Sequence, residues 1–402
     1  MITQGHCDPR FARVREVFER QFADGRQLGA SFAVHLHGEP VVDLWGGVAD
    51  RHTGRPWERG TPALAYSCTK AVTATVLLML IEDGLADPHA PVAGIWPEFA
   101  ARGKDRVTLE QVLSHQAGLP AIEDPVPVEE YEDQPAIAAR LAAQAPLWEP
   151  GTAHGYHALS FGFLAGEIVR RLTGGGVGEF VAGRIAGPRD LELWVGAPDD
   201  VAARAALLSA GDRSGGRTPP AEPAPRKDGP GGGTPPADLA RALFAAMTDP
   251  GSLMNRATGN PSLARLKGGG NHPLALRAGW PAMGLVTTAR GLAGFYRDLI
   301  GGVLVPEKTL AEALRPRVAG PDRVLLIDSS FALGYLRPSA MFPAPPAGAA
   351  TAFGHTGLGG SLGLGDPRHG LAMAHVMNRM ARGAAGDLRA YELADAVYGC
   401  VQ

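Results

Sequence analysis

Strand-like alternation in this chain is confined to its two ends, and the long middle reads as helix. Near the start, Ala30 to His37 and Pro40 to Gly46 are β-rich runs joined by His37-Gly38-Glu39, where Gly38 suits a tight hairpin turn. Strand signals return only at Ser330–Leu336, Ala350–His355, Leu362–Gly365 and Leu371–Asn378. Between them lie helical patterns at Thr69–Asp83, Thr108–Gln116, Gln134–Ala145, Ser160–Leu172 and Asp238–Met247, with a further helix near Thr288–Ile300. Helices also bound the chain: Phe11, Val14, Val17, Phe18 and Phe22 recur at spacings of three and four, and Asp387–Tyr398 closes it. Both ends must therefore supply strands to one antiparallel sheet, which predicts an α+β fold. The expected organisation is a discontinuous α/β domain of residues 1–66 and 275–402, with a mostly helical domain, 67–274, inserted. The Gly/Pro-rich stretch Gly211–Pro236 is expected to be a long surface loop.

Composition excludes several function classes. Hydrophobic residues at 45% and charged residues at 20% of 402 belong to a globular chain. With 38 Lys+Arg against 41 Asp+Glu, 38 − 41 = −3, there is no basic excess to hold nucleic acid. The most apolar run, Ala71–Ile81, contains Thr73 and Thr75 and falls short of the roughly 20 residues a bilayer span requires, so no membrane partner is expected. Cys7, Cys68 and Cys400 are odd in number and widely spaced, which makes neither a disulfide framework nor a metal site. The first residues lack a basic segment followed by an apolar core, so a cytoplasmic location is expected. Gly357–Gly363 lacks the Lys-Ser/Thr ending of a phosphate loop.

Three short elements carry chemistry. Ser67-Cys68-Thr69-Lys70 is a serine-x-x-lysine motif at the start of an apolar helix, where positions i and i+3 share a face. That spacing suits a nucleophile and its base, although an N-cap serine and a solvated lysine look the same in sequence. Burial and the helix N-terminus both disfavour a charged Lys70. The second element, Gly155-Tyr156-His157-Ala158, follows a turn-rich segment; a phenol with its pKa lowered by a nearby ammonium could accept and return a proton, and a packed tyrosine is the plainer reading. His154 and His157 have no further ligand cluster, so no metal is expected. The third element, Gly354-His355-Thr356-Gly357-Leu358-Gly359-Gly360-Ser361, ends a β-rich run with small residues that let a substrate approach the backbone. There the Leu358 amide could complete an oxyanion hole with that of Ser67, or the glycines could simply form a turn.

In this order the three elements resemble the serine β-lactamase-like superfamily of class C β-lactamases, DD-peptidases and family VIII carboxylesterases. Asp43-Leu-Trp-Gly-Gly47, Leu113-Ser-His-Gln-Ala-Gly-Leu119, Tyr156-His-Ala158, Phe353-Gly-His-Thr-Gly357 and Val376-Met-Asn-Arg-Met380 look like its esterase-type members. The resemblance implies the same α+β plan, with the active site between the two domains. It implies Ser67 as the acylated nucleophile, Lys70 and Tyr156 as managers of its proton, and the Ser67 and Leu358 amides as the oxyanion hole. Two-step acyl transfer without a metal or cofactor follows. His355, Thr356 and Gly357 are the substrate-binding candidates together with His157 and Trp280; Trp280 reads equally well as core, and Tyr335 is a further candidate for pocket shape.

Two departures steer the substrate. Where class C β-lactamases have Tyr-x-Asn, this chain has Ala158, and their Lys-Thr-Gly strand becomes His355-Thr356-Gly357, replacing a fixed positive charge by a mostly neutral histidine. A small uncharged ester fits better than an anionic lactam, with weak β-lactam hydrolysis as a side activity. The alternatives are an acyltransferase of secondary metabolism on the same acyl-enzyme, a β-lactamase or D-aminopeptidase-type amidohydrolase, and a non-catalytic binding module on the same fold. Oligomeric state is unreadable from one sequence.

Overall fold

A computed structural model describes residues 3–210, 237–381 and 387–401. The expected loop Gly211–Pro236 lies outside the described residues. Helix α1 (Ala12–Ala23) leads into strands β2 (Gly29–Leu36) and β3 (Glu39–Asp50), preceded by an edge strand β1 (Gln4–Cys7). Leu36 pairs with Glu39 across the two-residue turn His37-Gly38. Both turn residues have positive φ, 51° and 90°, the geometry whose twist matches a hairpin. From the other end of the chain come β4 (Phe353–Thr356), β5 (Leu362–Asp366) and β6 (Leu371–Met377). The sheet runs β1-β3-β2-β6-β5-β4, antiparallel throughout, so the β2–β6 seam joins the two ends as expected.

Both faces of this sheet are covered. Along β6, Ala372, Ala374 and Val376 join the core that holds Phe295 and Tyr296 of α6 (Ala289–Ile300). Leu371, Met373 and Met377 point the other way, into a core with Val14, Val17 and Phe18 of α1 and Leu393 and Val397 of α7 (Leu388–Val401). This double burial explains why β2 and β6 read as nearly continuous apolar runs rather than alternations. Gly363 of β5 leaves the space that Tyr296 fills: a Cβ there would lie 2.4 Å from its ring.

The helical block centres on α2 (Thr69–Glu82), buried from Thr69 to Leu80 and packed against α5 (Ser160–Thr173). Its internal threonines find carbonyls or hydroxyls: Thr73 donates to the Pro281 carbonyl at 2.6 Å, and Thr75 pairs with the Tyr335 hydroxyl at 2.7 Å. Two further helices are α3 (Leu109–Leu113) and α4 (Gln134–Ala143). The helix expected over Thr108–Gln116 is shorter because His115, at φ 62°, turns the chain. The strand expected over Ser330–Leu336 instead spans Asp328–Phe331 and ends early, since Gly334 turns at φ 78° against Ala74. A separate three-stranded ladder joins Ala63–Leu64, Leu285–Thr287 and Leu193–Val195 and leads directly into α2. Among the described residues no helix is long and apolar enough to cross a membrane.

Candidate active site

Ser67 owes its position to a strained turn. The chain leaves Ala63–Leu64 and reverses at Tyr66, whose φ of 46° is uncommon for a residue with a side chain. The turn is pinned by the Thr69 amide donating to the Tyr66 carbonyl at 3.0 Å and the Leu285 amide donating to Thr69 Oγ1 at 2.9 Å. Ser67 is left half-buried between the buried Tyr66 and Cys68. Cys68 faces inward, as its helical offset from Ser67 implies, and its thiol donates to the His355 carbonyl at 3.4 Å. Burial pushes that thiol up to about 12, so it is no competing nucleophile at neutral pH.

Lys70 is fully buried one turn on. Its Nζ donates to the carbonyls of Ala158 (2.7 Å) and Ala282 (3.0 Å) and stands 3.4 Å from Ser67 Oγ. Among the described residues no carboxylate pairs with it, and burial drives its pKa well below the ordinary lysine value. A neutral amine has two N–H bonds and one lone pair. The two carbonyls take the N–H bonds, which leaves the lone pair for the Ser67 hydroxyl.

Tyr156 forms the next layer, with Lys70 Nζ 4.8 Å from its ring centroid. Burial raises its pKa above the ordinary phenol value, and a hydrogen bond with Ser67 only partly opposes this. Burial thus raises the phenol where a nearby ammonium was expected to lower it. Tyr156 is wedged between aromatic rings, with Phe331 stacked at 6.2 Å and His115 at 5.3 Å. His115 accepts the His157 amide on Nδ1 at 3.1 Å, and burial lowers its pKa well below the usual histidine value.

The opposite wall is β4 and the turn after it. Gly357 passes so close that a Cβ would fall 2.2 Å from the Ala65 carbonyl, two residues before Ser67. His355 is buried, its Nδ1 2.7 Å from the Thr356 carbonyl, and among the described residues its Nε2 has no hydrogen-bond partner. Burial pulls its pKa down to about 3, so the ring is neutral, Nδ1 carries the proton and Nε2 offers a lone pair. Leu358 is 46% exposed, and among the described residues its amide donates to no acceptor.

Residues 14–398 match the family model described as Beta-lactamase. The chain belongs to the Beta-lactamase family. It is 35% identical over 398 residues to the Esterase/beta-lactamase LipL of Mycobacterium tuberculosis, covering 94% of this chain and 83% of that one. Two solved structures align over the whole of both chains: a novel penicillin-binding protein homolog from Caulobacter crescentus (36% identity, TM-score 0.82) and a family VIII carboxylesterase (34%, TM-score 0.81). This Beta-lactamase-family chain is thus a serine hydrolase with the expected α+β fold.

Not every expected site residue of this family member stands at the site's surface. Trp280 is core: its indole N–H donates to the Tyr131 carbonyl at 2.7 Å, and Tyr131 and Phe163 meet the ring edge-on. It steadies the turn carrying Ala282, whose carbonyl holds Lys70. His157 is also enclosed, with Nδ1 2.7 Å from the Gly155 carbonyl and Nε2 accepting the Leu119 amide at 3.0 Å. Burial holds its pKa at about 4, and with both nitrogens occupied it braces the Tyr156 segment rather than offering a substrate contact. Tyr335 is buried beneath α2. Sequence reasoning gave no role to His115, Ala282 or Asp322. His115 lies in a quoted motif, whereas Asp322 in Gly320-Pro321-Asp322 carries only a turn signal.

Proposed function

We propose that this chain is a cytoplasmic serine carboxylesterase that hydrolyses short-chain or small-molecule esters through an acyl-enzyme on Ser67. The observation that carries the reading is the buried Lys70 amine, with both donors taken by carbonyls and its nitrogen 3.4 Å from Ser67 Oγ. Ser67 attacks the ester carbonyl while its proton passes to Nζ. The amides of Ser67 and Leu358 hold the oxyanion as charge develops. Tyr156, kept as a phenol by burial, gives its proton to the leaving alkoxide and is restored by the one on Lys70. Water then enters and attacks the acyl carbonyl, losing a proton to the same pair; the acyl–oxygen bond breaks, the pair returns a proton to Ser67 Oγ, and the acid leaves.

Two features favour an uncharged ester. His355 offers a lone pair where a lysine would attract a carboxylate, and Ala158 has no side-chain amide to meet a drug's acylamido group. The names of the relatives, an esterase/beta-lactamase and a family VIII carboxylesterase, support the same class and leave room for slow β-lactam hydrolysis. The test is chromophore release from a p-nitrophenyl ester panel and from nitrocefin, with intact-protein mass, for wild type and Ser67→Ala. Fast short-chain ester turnover and slow nitrocefin loss are expected, both falling by at least about 10⁴-fold in Ser67→Ala. Ester turnover retained in that variant would overturn the reading; dominant nitrocefin turnover would move the substrate to lactams. An acyl-enzyme released only by added amines or alcohols would make the protein an acyltransferase.

A further inference from the structure

Behind Tyr156 lies a buried carboxylate that the acyl-transfer chemistry above does not use. Asp322 is 1% exposed, and among the described residues no lysine or arginine is paired with it. Its Oδ1 accepts three backbone amides, those of Tyr156 (3.1 Å), Val324 (2.8 Å) and Leu325 (2.9 Å). Its Oδ2 accepts the Ser329 hydroxyl at 2.9 Å, and Ser329 Oγ lies 3.0 Å from His154 Nε2. Because a carboxylate only accepts, the Ser329 proton points to Asp322, and the His154 nitrogen must donate to Ser329. Every bond therefore runs into Asp322, from His154 through Ser329 on one side and from the Tyr156 amide on the other. A carboxylate buried without a cation is costly to keep for structure alone.

We propose that Asp322 is a positioning residue: locked by Ser329 and His154, it holds the Tyr156 backbone so that the phenol is aimed as proton donor to the leaving alkoxide. This rests on the reading of Tyr156 as that donor. The carboxylate also acts at a distance, since its negative charge adds to burial in keeping the phenol protonated. The other titratable groups acting on Tyr156 are Cys68 beside Ser67, Lys70 from α2, His115 from the turn after α3 and His355 from β4. Burial favours the neutral form of all four, the Cys68 thiol included, so Asp322 is the one negative charge among them.

The test compares ethyl acetate with p-nitrophenyl acetate, which give the same acyl-enzyme but differ in leaving group. Ethoxide needs a proton to leave and p-nitrophenolate does not, so kcat/KM for the two isolates the proton donor. In Asp322→Asn, kcat/KM should fall at least tenfold further for ethyl acetate than for p-nitrophenyl acetate. The alkaline limb for ethyl acetate should also move to lower pH, because a phenol freed of the neighbouring negative charge ionises more easily. Equal losses on both esters, or an unmoved alkaline limb, would overturn the proposal. Should Asp322→Asn fail to fold by circular dichroism, Ser329→Ala keeps the carboxylate and its three amide bonds and is read by the same ratio. At least a threefold ethyl-specific loss is expected there, and equal losses again overturn the proposal. Tyr156→Phe separates the two claims. Ethyl-specific loss there with equal losses in Asp322→Asn removes the role of Asp322 alone; equal losses in Tyr156→Phe remove the proton-donor reading and this proposal with it.

Discussion

The two walls facing Ser67 treat their polar groups in opposite ways. On the helical side, Lys70 Nζ is held by two carbonyls, and His157 has backbone partners on both ring nitrogens. On the β4 side, His355 Nε2 and the Leu358 amide have no partner among the described residues. The His355 nitrogen is buried and the Leu358 amide lies on an exposed residue, and both stand beside Ser67 with hydrogen-bonding capacity to spare. The contrast separates two tasks. The closed wall fixes protonation states by burial and full hydrogen bonding. In the function proposed above, the open wall keeps a donor and an acceptor for the substrate and the charge that forms on it.

The sharpest way to break this division is to remove the base from the closed wall. Lys70→Met, close in volume, should lower kcat by about 10²–10⁴-fold. Lys70→Arg should be just as poor, because a guanidinium stays charged at any working pH and has no lone pair to offer. Recovery of activity in the arginine variant, measured by single-turnover acylation, would mean that position 70 supplies charge rather than basicity. On the open wall, Leu358→Pro deletes one amide that has no partner among the described residues, and kcat should fall by about 10²–10³-fold with little change in KM. Leu358→Ala keeps the amide and should lose far less. Equal losses in the two variants would assign the effect to the exposed leucine side chain instead.

The closed wall was the more legible in sequence at its centre and the less legible at its margins. Ser67 and Lys70 are three apart on one helix, so helical geometry alone brings them together. The carbonyl of Ala282 reaches Lys70 from 212 positions away and Asp322 reaches the Tyr156 amide from 166 away, with no local pattern to mark either. Trp280 was misleading for a related reason: a tryptophan in a turn-rich segment reads alike as pocket or core, and only the Tyr131 carbonyl, which satisfies its N–H, decides for burial. The sheet followed the same rule. β2 and β6 announce themselves by apolar content because both faces are covered, whereas β1, an exposed edge of Gln4–Cys7, has no alternation to read.

The smallest expected effect tests which wall sets the pH dependence. Lys70 is driven below its ordinary value by burial, so kcat/KM should rise with pH as the amine loses its proton, giving an acidic limb. His355 faces the same site, but burial holds it near 3, below the range where that limb is expected to matter for an ester hydrolase near neutrality. His355→Gln removes the titrating ring while keeping polar atoms to meet the substrate. Its KM should rise several-fold, about the 1 kcal/mol of one hydrogen bond, while the acidic limb stays where it is in the wild type. The sign follows from the direction of each shift: only a group that loses its proton across the limb can produce the rise, and His355 has already lost its own below it. An acidic limb that disappears with His355→Gln would transfer the base from the closed wall to the open one and undo the division of labour between them.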